Sequence, residues 1–191
     1  NPFADQNNTL TVTLESDTHT APAGTIVTIT GLAGSDTATK SDLAVTSAPD
    51  SALGSAGNWN IDGTLKLTVA AGKELTKGQA YTITFSLANP SSTLTSPTVN
   101  VTATLTDGAA TVGSVTQDAM SKPGGALYGV ANGDDPLTVV VPTFSTKSIE
   151  QNNPFADQNN TLTVTLESDT HTAPAGTIVT ITGLAGSDTA T

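Results

Sequence analysis

An exact internal repeat constrains this chain more than any other feature. Residues 1–39 recur without a change as residues 153–191, so the 191-residue chain holds one period of 152 residues and the opening of the next. Identity at every position, exposed ones included, indicates a recent or homogenised duplication in a long array; a duplication without structural meaning is the alternative. Each unit of such an array contacts mainly its neighbours. A period this long favours separate domains in a row, and a start at Asn1 favours a segment of a longer protein.

Composition then favours an all-β fold. The chain has 37 Thr and 16 Ser, more than a quarter of its residues. Thr, Val and Ile are β-branched, and they fit a pleated sheet better than a helix. The alternation of apolar and polar residues predicts strands at residues 9–15, 25–30, 43–46, 64–69, 82–87 and 98–105. Trp59 and Ile61 share a face of one more short strand, and no segment has a helical period.

Seven strands within residues 1–105 predict one antiparallel β-sandwich of the immunoglobulin or fibronectin type III kind. Leu75, Gly78 and Tyr81 open one of the strands at a spacing that resembles the tyrosine corner of those folds. In that motif the ring packs at the core edge while the hydroxyl bonds back to the preceding crossover. The expected core therefore contains Trp59, Tyr81 and Phe85, together with Ile61.

The rest of the period is harder to assign. Residues 106–152 contain short β candidates at 111–115, 127–130, 137–141 and 144–149. They have too little apolar content for a core of their own, so we expect a β extension of the sandwich and a connector between repeats. Residues 153–191 are the incomplete start of the next repeat and must pair with other segments. An alternative frame begins the domain near Pro142.

A family resemblance rests on the order of these segments. The stretches 137–142, 146–151, 160–166 and 179–184 follow one another, and Asn58-Trp59-Asn60 precedes the alternating run 63–69 within a period. This pattern resembles the Thr-rich tandem Ig-like β-sandwich repeats of giant secreted surface and fibre proteins of algae and protists, such as mastigoneme axes and environmental extracellular fibrils. The resemblance implies a structural repeat of an extracellular fibril, found at the cell surface or as a shed filament. Its partners would be neighbouring repeats and copies of itself.

Several other classes of function are excluded or disfavoured. With 6 basic and 17 acidic residues the net charge is −11, which opposes nucleic-acid binding. There is no cysteine for a disulfide, a thiol nucleophile or a metal. No apolar run approaches the roughly 20 residues of a membrane helix, so no membrane insertion is expected. We find no nucleophile elbow, phosphate loop or histidine pair, and the repeated loop histidines His19 and His171 do not predict an enzyme.

No cofactor is expected, and the sequence offers candidate sites for calcium and for glycans only. The acidic clusters at residues 132–135 and 5–8 suit turns, with calcium binding at the repeat junction as the alternative. Asn-x-Thr sequons make Asn7, its copy Asn159, and Asn100 candidates for N-linked glycans. Asn100 should point outward from its strand, and the outward Thr and Ser rows are candidates for O-linked glycans.

The junction between repeats carries the last prediction. A flexible connector has no use for an aromatic residue, yet residues 151–160 contain Phe155, the copy of Phe3. We therefore expect both rings to be buried where repeats meet, and Phe144 to begin a strand that pairs across the junction. A flexible string would instead favour the alternative function, a spacer in the stalk of a bacterial or archaeal adhesin. A carbohydrate-binding module is a third hypothesis and would need an exposed aromatic platform.

Overall fold

The computed structural model describes residues 1–169 and 171–187, and within them it contains strands and loops but no helix. The all-β prediction is confirmed. Likewise, the described residues include no helix of the length and apolarity that membrane crossing requires. The strands are β1 Asn7–Leu14, β2 Ile26–Thr30, β3 Lys40–Ala48, β4 Ala56–Asn60, β5 Thr64–Thr68, β6 Tyr81–Ala88, β7 Asn100–Asp107, β8 Ala110–Ala119, β9 Phe144–Gln151 and β10 Leu162–Ser168.

The chain divides into two compact units. The first unit comprises Asn1–Leu127 and Ala131–Val141, and it contains strands β1 to β8. The second comprises Tyr128–Val130 and the chain from Pro142 onward, and it contains β9 and β10. The main division at Pro142 therefore falls eleven residues before the start of the repeated sequence at Asn153.

One antiparallel sheet of eight strands forms the first unit, in the order β1-β6-β3-β4-β5-β2-β7-β8. The sheet is curled because β3 changes partner along its length. Leu43 and Ala44 pair with β4, whereas Val45 to Ala48 pair with β6. This change of partner divides the sheet into a three-stranded part, β1-β6-β3, and a five-stranded part, β4-β5-β2-β7-β8.

The inward residues of both parts form one core. Burial alternates strictly in β1 and β6, as the period of two requires, and threonines occupy most outward positions of β1. Side chains with less than 2 % exposure include Trp59, Ile29, Leu65, Leu67, Ile83 and Leu87. The expectation for Ile61 is wrong: it is 54 % exposed, because β4 ends at Asn60 and Ile61 lies in the turn that follows.

The segment after β7 is only partly as expected. β8 pairs with β7 and so widens the sheet. Residues 127–130 and 137–141 do not form strands. Leu137 is fully buried but has a φ of 56°, a left-handed conformation that interrupts an extended backbone. Beyond it, Val139 and Val140 make single β-bridges to Leu94 and Phe3.

The second unit is built on the antiparallel pair of β9 and β10, in which Val164 lies opposite Ile149. Residues 177–184 repeat the sequence of 25–32 but form no strand. The physical reason is the lack of partners: β2 lies between β5 and β7 in the first unit, and the repeated 39 residues include no copy of either. Val179 and Ile181 are consequently about half exposed (49 % and 48 %), whereas Val27 and Ile29 are buried.

Candidate functional site

The candidate site is the beginning of the repeat, which we call the start segment: residues 1–8 and their copy, 153–160. Two of its local hydrogen bonds, including the Phe3 or Phe155 amide to the first asparagine, occur in both copies. The backbone nitrogen of Asn1 donates to Asn8 Oδ1 (2.8 Å), and that of Asn153 donates to Asn160 Oδ1 (3.1 Å). Asp5 and Asp157 both have a φ of 58°. These features of the start segment are therefore encoded locally, because they persist in two different surroundings.

In the first unit the start segment is anchored by a buried pair of asparagines. Asn8 Nδ2 donates to Asn89 Oδ1 (3.2 Å), and Asn89 Nδ2 donates to the carbonyls of Asn1 and Phe3 (2.8 Å each). Asn8 and Asn89 are 4 % and 2 % exposed. Burying these amides is acceptable because each is hydrogen-bonded. Desolvation of the Asn1 ammonium group lowers its pKa from the ordinary value.

The backbone of the start segment also bonds to the end of the first unit. The amide of Ala4 donates to the carbonyl of Val140 (3.0 Å), and the amide of Val140 donates to that of Pro2 (2.8 Å). Residues 2–4 thus lie beside the last residues before Pro142. The beginning of the repeated sequence and the end of the unit are held together within one unit.

Two grooves lie beside β1, which is the edge strand of the eight-stranded sheet. One has a volume of about 310 Å³ and includes Leu10, Val12 and Met120 in its lining. The other has the same volume and is lined in part by Leu14 and Val115. Both therefore expose apolar side chains along the margin between β1 and the β7–β8 end of the sheet.

The three phenylalanines expected at the junction lie in different surroundings. Phe3 and Phe144 are partly buried. Phe155 is 75 % exposed, although it repeats Phe3. The residues around Phe155 are nonetheless ordered by hydrogen bonds: Asn153 Oδ1 accepts from the Phe155 amide (3.1 Å), and Asn160 Nδ2 donates to Gln151 Oε1 (2.9 Å). The partners that Phe3 finds near Val140 have no counterpart in the second copy.

The aromatic residues proposed for the core lie there. Trp59 is fully buried, Tyr81 is 4 % exposed and Phe85 is 2 % exposed. The Tyr81 hydroxyl donates to the Glu74 carbonyl (3.1 Å) and accepts from the Thr76 amide (3.0 Å). The predicted bond from this hydroxyl to the preceding crossover is therefore confirmed. The indole nitrogen of Trp59 donates to the Thr37 carbonyl (2.9 Å), so its one polar atom is paired.

The sequon asparagines differ in accessibility. Asn7 and Asn159 are exposed, while Asn100 is partly buried. Asn7 is the first residue of β1. Asn100 lies in β7 between Thr30 of β2 and Ala119 of β8. Asn7 is thus the better placed acceptor for a bulky glycan.

The histidines and acidic clusters have local roles. His19 Nδ1 is within hydrogen-bond distance of Ser16 Oγ (3.1 Å) and Thr18 Oγ1 (3.0 Å). Asp135 Oδ1 accepts from the Gly124 amide (2.8 Å), and Asn132 has the positive φ of a tight turn. In residues 1–169 and 171–187 there is no group of three or more His, Asp or Glu side chains arranged to hold a metal ion.

Asn89 is the site residue that sequence reasoning missed. In the sequence Asn89 precedes Pro90, an arrangement that is typical of a turn and that rules out N-glycosylation at Asn89. A polar side chain directly after the apolar alternation of β6 was the available indication, but the partner that makes it structural, Asn8, is 81 positions away. Comparisons of the chain with family models, curated proteins and solved structures gave no match.

Proposed function

We propose that this chain is a non-catalytic structural repeat of an extracellular fibre or filament, in which Ig-like β-sandwiches follow one another with a period of 152 residues. The observation that carries the proposal is the second copy of the 39-residue sequence. Its strand β10 exposes Leu162, Val164 and Leu166 by 37–43 %, whereas their copies in β1 face a core. Further residues of a next repeat would cover this face.

The Ig-like architecture has two supports. The first is the exchange of partners by β3, which lets two parts of one sheet face each other across a common core. The second is Tyr81, whose hydroxyl bonds to the crossover before its strand as in a tyrosine corner. The core of one such sandwich would give each repeat its own stability.

The surface chemistry agrees with an exposed, heavily hydroxylated fibre. Charged residues make up only 12 % of the chain, so solubility depends on Thr and Ser hydroxyls and on the net negative charge. Asn7 offers an exposed N-glycan acceptor, and the outward threonines of β1 and β6 offer O-glycan acceptors. No catalytic role and no cofactor are part of the proposal.

The alternative is a spacer repeat in the stalk of a bacterial or archaeal adhesin. The exposed ring of Phe155 favours it, because a fixed junction was expected to bury that ring. The hydrogen bonds of residues 151–161 favour the fibre. A carbohydrate-binding module has less support, since Trp59, the single tryptophan, lies in the core.

Electron microscopy of proteins with two, four and six full periods tests the proposal. A fibre repeat predicts particles whose length grows by one constant increment per period and whose junction angle is narrowly distributed. A matched protein with a ten-residue Gly-Ser insert after Val141 supplies the flexible reference. Particles as bent as this reference would contradict the fibre and support the adhesin spacer. An N-glycan at Asn7 in the native protein would support the eukaryotic fibre. Calcium bound at the junction would support the adhesin spacer.

A further inference from the structure

The two copies of the repeated strand use opposite edges for pairing. In an antiparallel pair the N–H and C=O groups of one residue point to the same side, and successive residues alternate. The Gln6 carbonyl accepts from the Asn89 amide (2.9 Å). These two residues are the next opposed pair beyond Asn7 and Ala88, where the pairing of β1 with β6 begins. Even-numbered residues of β1 therefore direct their backbone groups to β6, and Thr9, Thr11 and Thr13 direct theirs to the outer edge.

The second copy shows what binds to that outer edge. The Thr161 carbonyl accepts from the Asn152 amide (3.2 Å). These two residues are the next opposed pair beyond Leu162 and Gln151, where the pairing of β10 with β9 begins. The odd-numbered residues of β10 thus direct their backbone groups to β9. Because the period of 152 is even, these are the copies of the odd-numbered residues of β1. The identical sequence is paired on one edge by β6 in the first unit and on the other edge by β9 in the second.

We propose that the outer edge of β1 is a binding site for a copy of β9, supplied by the preceding repeat, so that each sandwich is completed by the last strand before its own start segment. This inference rests on the proposed function, because only a tandem array supplies a copy of β9 before Asn1. In such an array each folded unit would begin at Pro142 or its equivalent. Strand addition to an open edge is a common mode of recognition, and it would cover an edge that otherwise invites aggregation.

The start segment would direct the incoming strand to this edge. In the second copy it leads directly back into β9, where Asn152 Oδ1 accepts from the Thr161 amide (2.7 Å). The start segment of the first copy shares two hydrogen bonds with the second, together with the φ of its acidic turn residue. Residues placed before Asn1 would therefore leave it in the direction that residues 152–144 take beside β10.

The side chains of β9 also suit the grooves beside β1. Ile149 lies opposite Val164, the copy of Val12, and Lys147 lies opposite Leu166, the copy of Leu14. Val12 lines one groove and Leu14 the other. Glu15, Asp17 and Asp118 contribute to the second groove. A copy of Lys147 would thus meet an acidic margin, and a copy of Ile149 an apolar one.

The test adds a copy of residues 142–152 to the N-terminus of the full chain, which places before Asn1 the sequence that precedes the second start segment. We expect hydrogen exchange of the Thr9, Thr11 and Thr13 amides, followed by NMR, to slow by about tenfold or more. The thermal midpoint of the first unit, read from Trp59 fluorescence, should rise by about 3 °C or more. Unchanged exchange at these three amides would overturn the proposal.

Two proline variants in the added segment give matched controls. The Ser148 amide points toward the paired strand, because even-numbered residues of β9 bond β10, whereas the Lys147 amide points away. Ser148→Pro should abolish the protection, and Lys147→Pro should retain most of it. Equal loss in both would contradict strand pairing. If the β1 amides are protected but microscopy shows no regular particles, only the fibre function is rejected. If the particles are regular but the β1 amides stay unprotected, only the strand pairing proposed here is rejected.

Discussion

Asn8 and Asn160 are the same residue of the repeat with different partners, and they show how context determines the role of a side chain. Asn8 is buried against Asn89, while Asn160 is exposed and bonds Gln151. A buried amide that loses its partner retains a desolvation cost that an exposed amide does not have. The chain therefore provides its own control for a mutation at this position.

Asn8→Ala should destabilise the first unit by about 1–3 kcal/mol, because it leaves Asn89 Oδ1 and the Asn1 nitrogen without their partner. Urea unfolding followed by Trp59 fluorescence measures this change, since the single tryptophan lies in the first unit. Asn160→Ala makes the same chemical change and should shift the transition by less than about 0.5 kcal/mol. Equal effects would contradict the structural role of the Asn8–Asn89 pair.

Trp59→Ala should cost about 3–5 kcal/mol, the usual penalty for removing a large buried aromatic side chain. Trp59 is fully buried and Ile61, two residues away, is 54 % exposed. Ile61→Ala is therefore the matched control and should cost less than about 1 kcal/mol. Circular dichroism must follow the unfolding here, because the mutation removes the fluorophore. A small effect at Trp59 would mean that its ring is not part of the core.

At the scale of elements, β2 and its copy distinguish the effect of local sequence from the effect of neighbouring strands. Residues 26–30 form a strand between β5 and β7, yet the same residues at 178–182 form none. The β-propensity of Ile-Val-Thr-Ile-Thr is identical in both places. What differs is the cross-strand packing, which is the main source of apparent strand propensity.

Hydrogen exchange read by mass spectrometry can observe this difference directly. Residues 25–35 and 177–187 give peptides of the same sequence and mass. We expect a bimodal isotope envelope with two equal populations, one protected by the β2 ladder and one exchanging rapidly. Ile29→Ala, which truncates a fully buried side chain, should shift the protected population only. A single protected envelope from the unmodified chain would contradict the open state of residues 177–184.

The alternation of apolar residues was sufficient to predict most strands of the first unit. Tyr81 could also be assigned, because its spacing from Leu75 and Gly78 is short and its role is local. The loop residue Leu137 could not, since a buried leucine with a positive φ looks like part of a strand in an apolar run. Asn89 depends on a partner 81 residues earlier, and no local pattern reports such a distance.

At the scale of the whole molecule, the boundary of the folded unit and the boundary of the repeated sequence do not coincide. The sequence repeats from Asn153, but the second compact unit begins its main segment at Pro142. A repeat can be counted from any point of its period, whereas a folded unit must bring together strands that share a core. Pro142 also suits the start of a folded unit, because proline has no amide hydrogen to donate and is tolerated at the end of a strand better than inside a ladder.

Appending residues 40–141 after Thr191 should complete the second unit, because this segment supplies copies of β3 to β8. Residues 178–182 should then form the strand that β2 forms now, and the bimodal exchange envelope of residues 177–187 should become one protected population. Ile181→Ala, nearly silent in the present chain because Ile181 is 48 % exposed, should then cost about 2–5 kcal/mol in urea unfolding of the second unit. The matched control is Ile29→Ala, whose cost should stay the same in both chains. If the longer chain folds but residues 177–187 still exchange rapidly, the second copy does not follow the fold of the first, and an array of identical sandwiches is not what this sequence builds.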